Sequence, residues 1–206
     1  MLILSVFKVG APMKPDEDQD EAELARKAKK GDMKAFESLI KKYQQTIYYL
    51  CRRLTGAHQS ADDIAQETFI KAYFALSTFD ENLALYPWLR RIAVNTALNY
   101  IKSLNREILL GDGELKLASG DNQAGRESPR HYVEREELEE KFHQALKTLP
   151  PEQKSVFVLR FYENQSYEEI ARTLQLRPGT VMSRLNRARW RLRALLEDSF
   201  FKEGRR

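Results

Sequence analysis

Polar side chains suited to contacting DNA are concentrated near the C-terminus of this 206-residue chain. Arg and Asn donate hydrogen bonds to base edges in a major groove, and Arg and Ser also bind phosphate oxygens. The candidates for this non-covalent recognition are Ser183, Arg184, Asn186 and Arg187. Met182 and Trp190 share their helix face, and further arginines flank it at positions 189, 191 and 193.

These side chains lie on the second of two predicted helices, which follows a short first helix and a tight turn. Ser166 and Glu169 form a capping box that starts the first helix, and Pro178 suits the first turn of the second. The second helix has one apolar stripe, made of Val181, Leu185, Ala188, Leu192 and Leu195. This arrangement predicts a helix-turn-helix that reads duplex DNA, and the alternative is a solvated basic face on an ordinary helical hairpin.

A second candidate surface lies on a helix predicted from Pro87-Trp88 to about Leu104. Its apolar side is formed by Leu89, Ile92, Ala93, Thr96 and Tyr100, and its opposite side carries Arg91, Asn95, Leu98 and Lys102. Together with Trp88, an exposed Phe79 in the preceding connection could stack on unpaired bases. The alternatives are that Phe79 is a core residue beneath the connection, and that Trp88 is a core residue while the polar side of the helix is only solvated.

A third surface is acidic and lies on a helix predicted from Ser60, as its cap, to Leu76. Asp62, Asp63, Gln66 and Glu67 form this surface, which taken alone is most often only solvated. No histidine lies near enough to complete a usual metal site there.

No constellation for covalent chemistry is found, so we predict no catalytic residues, no metal and no cofactor. The three histidines, His58, His131 and His143, are too scattered for a nucleophile–base arrangement. Cys51 is the single cysteine, which excludes an internal disulfide and favours a reducing compartment; we predict that it is buried and inert. Because the net charge is only +4, any nucleic-acid surface has to be local.

Helical periodicity throughout predicts an all-α fold of two helical domains joined by a flexible linker. The predicted segments are an N-terminal extension without order (1–20), a helical bundle (21–106), a Gly- and Ser-rich linker (107–131), the helix-turn-helix domain (132–198) and a tail (199–206). We expect an interruption at Gly31-Asp32 and a helix end near Gly56. The short apolar start is a poor signal peptide, and Met13 is a plausible alternative initiator.

Four sequence blocks in this order resemble the group IV, or extracytoplasmic-function, bacterial sigma factors. The blocks are DDIAQETFIKAY at 62–73, WLRRIAVNTALNYIK at 88–102, LPPEQKSVFVLRFYENQSYEEIA at 149–171 and GTVMSRLNRAR at 179–189. The resemblance covers about residues 21–197, and AVNTALNY and SYEEIA are similar to the branch that includes the envelope-stress sigma factor.

The resemblance implies a cytoplasmic protein that binds core RNA polymerase and directs it to promoters in an extracytoplasmic or stress response. Asp62, Asp63, Gln66 and Glu67 would dock on the clamp helices of the largest polymerase subunit. The loop around Phe79 and the helix with Asn95 would capture a flipped base of the non-template strand at the minus-ten element, with Trp88, Arg91 and Lys102 along the same strand.

The resemblance further implies that Ser183, Asn186 and Arg187 face the minus-thirty-five element, with Arg184 and Arg189 on phosphates or structural. Met182 and Asn186 depart from the pattern, since many relatives have a basic residue at the first position and the similar branch has an aromatic at the second. An anti-sigma partner, often membrane-tethered in this family, is also implied. The rival functions are a helix-turn-helix regulator acting without polymerase and a nucleic-acid enzyme.

Overall fold

The computed structural model describes residues 18–81, 83–110 and 141–203. Its described residues form helices and connections without a β-strand, which confirms the predicted all-α fold of two helical domains. The chain divides into two compact units, Met1–Ala118 and Ser119–Arg206, and each has its own core. The predicted extension without order is wrong for residues 18–20, which begin the first helix. The rest of that extension with its two candidate initiators, and the predicted linker beyond residue 110, lie outside the described residues.

Where the structure describes the first unit, it is a bundle of four helices with a short 3-10 turn at Leu76–Thr78. The helices are α1 Asp18–Lys29, α2 Met33–Thr55, α3 His58–Ala75 and α4 Leu85–Leu110. Helices α2, α3 and α4 pack against one another, and α1 lies against α2 and α4. Their apolar stripes meet in a core whose most deeply buried side chains include Ile47, Leu50, Leu54, Ile64 and Val94. This burial of one stripe per helix is the main force that holds the bundle together.

Local capping residues set the break between α1 and α2 and the end of α2. Gly31 adopts a positive φ of 94°, and the Asp32 side chain then accepts hydrogen bonds from the backbone N–H groups of Lys34 and Ala35. Gly56 ends α2 with a φ of 84°. Both breaks confirm the sequence prediction, because glycine adopts these angles without the steric cost of a β-carbon.

Helices α3 and α4 each begin two residues before the predicted start, and tertiary contacts involve residues at both starts. Helix α3 begins at His58, and Ser60 is no cap, because its hydroxyl lies 3.0 Å from the Tyr100 hydroxyl on α4. Helix α4 begins at Leu85, whose backbone N–H donates to the Glu21 carboxylate of α1. It also continues to Leu110, beyond the predicted start of the linker at 107.

The second unit contains α5, of which residues 141–147 are described, then α6 Pro151–Phe161, α7 Tyr167–Leu174 and α8 Pro178–Glu203. Helix α8 packs on both α6 and α7. The core of the second unit includes five fully buried side chains, Val156, Leu159, Ile170, Val181 and Leu185. Since α8 extends to Glu203, the predicted tail from residue 199 is helical to that point.

Candidate nucleic-acid and partner-binding surfaces

The turn between α7 and α8 is fixed at both ends by local interactions. At the start of α7, the Ser166 hydroxyl accepts from the Glu169 N–H at 3.2 Å, and the Glu169 carboxylate accepts from the Ser166 N–H at 2.7 Å. At its end, Gln175 turns the chain with a φ of 55°, and α8 begins at Pro178. The predicted capping box and helix-turn-helix geometry are confirmed.

Arg160 of α6 holds the connection that leads into this motif, a role that the sequence does not reveal. Its guanidinium donates to the backbone carbonyl of Gln165 at 2.8 Å and lies 5.7 Å from the centre of the Tyr167 ring. On the other side, the Arg189 guanidinium of α8 lies 5.2 Å from the centre of the Phe161 ring. These cation–π contacts tie α6 to both helices of the motif.

The apolar stripe of α8 ends one residue later than the sequence pattern predicts. Val181, Leu185, Ala188 and Leu192 are buried as expected, but Leu195 is 43% exposed and Leu196 is buried instead. At 100° per residue, Leu195 and Leu196 lie about 50° on either side of the stripe, so periodicity alone does not separate them. The packing of α8 in the second unit decides between them.

The opposite face of α8 is open to solvent. Ser183, Asn186 and Arg187 are exposed and Arg184 is half-buried. The Ser183 hydroxyl donates to the Thr180 carbonyl one turn earlier at 3.0 Å, which leaves its oxygen able to accept a further hydrogen bond. Met182 and Trp190, 51% and 72% exposed, extend this face with apolar surface.

On α4, polar side chains follow one exposed side of the helix. Arg91, Asn95 and Lys102 are all exposed, and the side that faces α2 and α3 is buried through Leu89, Ala93 and Ala97. The spacings of four and seven residues place the three polar groups along one stripe. They therefore offer a donor-rich track along the surface of the first unit.

Phe79 is buried, which confirms the predicted alternative of a core residue beneath the connection and contradicts the prediction of an exposed stacking residue. Its side chain is 2% exposed, because the connection folds over it and its ring packs on Trp88 with centroids 5.0 Å apart. Trp88 itself is half-buried. Of the two aromatic residues, only Trp88 presents part of its surface to solvent as the chain is folded here.

The acidic surface of α3 is exposed as the helix pattern predicts. Asp62, Asp63, Gln66 and Glu67 all face solvent, Gln66 donates to Asp62 at 3.1 Å, and Glu67 pairs with Lys71 at 2.6 Å. The same side of the helix continues with two exposed apolar residues, Ile70 (57%) and Phe74 (77%). The sequence pattern missed Ile70 and assigned no role to Phe74, although both lie at helical spacing from Asp63.

Glu21 is a buried carboxylate that the sequence pattern does not reveal. It accepts from the Tyr43 hydroxyl, pairs with the Lys42 ammonium at 2.9 Å and accepts from the Leu85 N–H at 3.3 Å. Burial by itself raises the pKa of this carboxyl. The hydrogen bonds from Tyr43 and Lys42 outweigh that effect, so the pKa lies below its ordinary value of 4.5.

Within the described residues, His, Cys, Asp and Glu side chains form no group of three that could hold a metal ion. Burial raises the pKa of the Cys51 thiol to about 12, so it carries almost no reactive thiolate at neutral pH. In the part of the chain that the structure describes, no helix is both long and apolar enough to span a bilayer.

Comparison with known families matches both units. Residues 39–107 match the model of Sigma-70 region 2, and residues 139–192 match that of Sigma-70, region 4. The RNA polymerase sigma-H factor of Pseudomonas aeruginosa is 40% identical over 179 residues, covering 84% of this chain and 91% of that protein. The ECF RNA polymerase sigma-E factor of Salmonella typhimurium is 36% identical over 170 residues, covering 81% and 88%.

Among solved structures, the sigma factor RpoE in complex with the anti-sigma factor NepR from Bartonella quintana is similar. It has a TM-score of 0.64 and 26% identity, and the match covers 80% of this chain and 98% of that one. The chain belongs to the extracytoplasmic-function family of RNA polymerase sigma factors. It is an alternative sigma factor, a transcription initiation factor that acts with core RNA polymerase on promoter DNA, and a helix-turn-helix regulator working without polymerase is not favoured.

Proposed function

We propose that three exposed surfaces divide the work of promoter-specific initiation among them. The acidic side of α3 binds the polymerase, the polar side of α4 captures the melted minus-ten strand, and the polar side of α8 reads the minus-thirty-five duplex. The observation that carries the proposal is that α4 and α8 each bury one side in their own unit and expose a donor-rich side. The buried side fixes the position of such a helix, and its exposed side chains remain available to bind DNA.

For polymerase binding, the proposed contact is Asp62, Asp63, Gln66 and Glu67 against the clamp helices of the largest subunit. Ile70 and Phe74 extend the contact, because an exposed apolar patch beside charged groups is the usual composition of a partner-binding surface. Charge sets the orientation and the rate of association, and the apolar pair adds buried area.

For the minus-ten element, Asn95 is the proposed reader of an unstacked base, and Trp88, Arg91 and Lys102 support the strand. A base taken out of the stack costs a few kcal/mol, which stacking and edge hydrogen bonds have to offset. A wrong base offsets less of that cost, so recognition of the base and opening of the duplex are coupled. Phe79 takes part through packing beneath Trp88 rather than by stacking on the base.

For the minus-thirty-five element, Ser183, Asn186 and Arg187 are the proposed base and phosphate contacts. Arg184 is half-buried at the side of the face, which suits a phosphate contact. Met182 and Trp190 add apolar surface that can pack on sugar or on a thymine methyl group.

We further propose that an anti-sigma protein, of the membrane-tethered kind, covers these surfaces in the resting cell, and that the chain acts in the cytoplasm in an extracytoplasmic or stress response. The solved relative is a sigma factor bound to its anti-sigma factor. The exposed Ile70 and Phe74 give such a partner an apolar surface to cover.

The experiment uses permanganate reactivity of unpaired thymines to measure opening of a promoter found by mapping start sites with this protein and core polymerase. Asn95→Ala is expected to reduce opening roughly tenfold. The matched control is Asn105→Ala, which changes another exposed asparagine further along α4. Equal opening by the two variants would contradict the role given to α4.

A further inference from the structure

Helix α1 contacts the connection between α3 and α4 at two places. In the middle of the connection, the Lys29 ammonium donates to the Phe79 carbonyl at 2.8 Å and pairs with Glu81 at 3.5 Å. At its far end, the Glu21 carboxylate accepts from the backbone N–H of Leu85, the first residue of α4. One helix, distant in sequence, therefore contacts both the middle of the connection and the start of α4.

The Glu21 contact satisfies a backbone donor at the start of α4. A helix start leaves backbone N–H groups without partners, and a negative charge there also interacts favourably with the helix dipole. The residue before α4 is Ala84, whose side chain offers no acceptor, and Pro87 in the first turn has no N–H to satisfy. Glu21 supplies the acceptor from another helix.

Because Glu21 is buried and its two oxygens have different donors, its contact with Leu85 has a defined geometry. Its side chain is 10% exposed, and two donors from α2, the Tyr43 hydroxyl and the Lys42 ammonium, occupy one carboxylate oxygen. The other oxygen is left for Leu85. A buried, paired carboxylate contributes little net stability compared with an apolar residue, and its best-attested value is to select one arrangement of the chain.

We propose that Glu21 is a positioning residue for strand capture: through Leu85 it sets the start of α4 and, with Lys29, the path of the connection over Phe79. This rests on the proposed function of α4, because Trp88, Arg91 and Asn95 follow Leu85 on the same helix. A shift of the helix start moves all three relative to the bound strand. Discrimination among bases therefore depends on Glu21, although Glu21 lies too deep to contact DNA.

The test measures base discrimination, which a general loss of folded protein does not change. With core polymerase and the full chain, each minus-ten base of a mapped promoter is substituted in turn, and the position with the largest loss of transcription is chosen. The discrimination ratio is the transcription from the native template divided by that from the template substituted there. It is compared for wild type, Glu21→Ala, Glu21→Gln and the matched control Glu23→Ala, which removes only an exposed ion pair of α1 with Lys27.

We expect the ratio to fall roughly tenfold in Glu21→Ala and by less in Glu21→Gln, which keeps an acceptor, while Glu23→Ala retains the wild-type ratio. Polymerase affinity is expected to stay unchanged in all three. A wild-type ratio in both Glu21 variants, or in Glu21→Gln alone if the alanine variant does not fold, overturns the inference. Asn95→Ala distinguishes failure of the proposed role of α4 from failure of the role of Glu21. If Asn95→Ala also leaves the discrimination ratio unchanged, the proposed role of α4 in strand capture is contradicted, and not only that of Glu21.

Discussion

The rings of Phe79 and Trp88 pack on each other with centroids 5.0 Å apart, Phe79 buried beneath the connection and Trp88 half-buried at the start of α4. The pair links the path of the connection to the position of α4. Since Lys29 holds the Phe79 carbonyl, the backbone and the side chain of this residue are both fixed. Phe79 is thus a structural support for the strand-binding side of α4.

Removing the Phe79 ring is expected to destabilise the first unit strongly. Phe79→Ala leaves a cavity in the core, and large-to-small changes of this kind cost about 3–5 kcal/mol. The matched control is Phe74→Ala, because Phe74 is 77% exposed and its loss should change the free energy of unfolding by only about 0.5 kcal/mol. Denaturant unfolding of the full chain measures both, and equal losses would contradict the assignment of Phe79 to the core.

Reversing charge on the acidic side of α3 is expected to weaken polymerase binding. Asp63→Arg introduces a like charge wherever the partner surface is basic, and such a clash costs several kcal/mol. We expect an affinity for core polymerase at least roughly tenfold lower, measured by fluorescence anisotropy. Glu23→Arg makes the same change of charge on α1 and serves as the control; an equal loss there would point to net charge rather than to a defined surface.

Replacing Arg187 by alanine and replacing Asn186 by alanine are expected to change DNA binding in different ways. If Arg187 binds a phosphate, its loss weakens all sequences alike and lowers the salt dependence of binding by about one counterion. If Asn186 reads a base edge, its loss relaxes preference at one base pair by about 1–3 kcal/mol and leaves the salt dependence intact. Competition binding to minus-thirty-five duplexes at several salt concentrations distinguishes the two effects. The same change in salt dependence and in base preference for both variants would contradict the assigned roles.

Lys154 in α6 is expected to destabilise the second unit at neutral pH. Burial, together with the nearby Lys147 charge, lowers the pKa of the Lys154 ammonium from 10.5 to about 8. Below pH 8 the folded protein carries the full cost of the buried charge, and this cost is relieved as the pH rises from 8 toward 10.5. Lys154→Met should therefore raise stability at pH 7 by about 1–3 kcal/mol and remove that rise.

Thermal unfolding of wild type and Lys154→Met between pH 7 and pH 10 measures this effect. Lys147→Met is the control, because Lys147 is exposed and its loss removes only the weaker repulsion. A Lys154→Met protein less stable than wild type at pH 7 would show that the ammonium is favourably paired.

The parts of the molecule that the sequence predicts well are those that neighbouring residues determine. The capping box of Ser166 and Glu169 acts within one turn, and Gly56 ends α2 through its own backbone angle. The exposed sides of α3, α4 and α8 follow from helical periodicity alone. These features need no knowledge of distant contacts, which is why pattern analysis finds them.

Several of the features that were missed depend on residues far apart in sequence. Glu21 caps Leu85 across 64 positions, and Ser60 turns to Tyr100 instead of capping its own helix. The burial of Leu196 in place of Leu195 is decided by the packing of α8, since both fit the period equally. Sequence periodicity shows that a face is buried, and tertiary contacts determine which residues stand at its edges.

Run-off transcription with purified core polymerase and this protein on fragmented genomic DNA tests the central claim most directly. We predict discrete start sites that share two upstream sequence elements, with Asn186→Ala altering preference only in the distal element and Asn95→Ala only in the proximal one. Failure of the folded protein to start transcription at any natural template, or start sites with no shared upstream elements, would contradict the account.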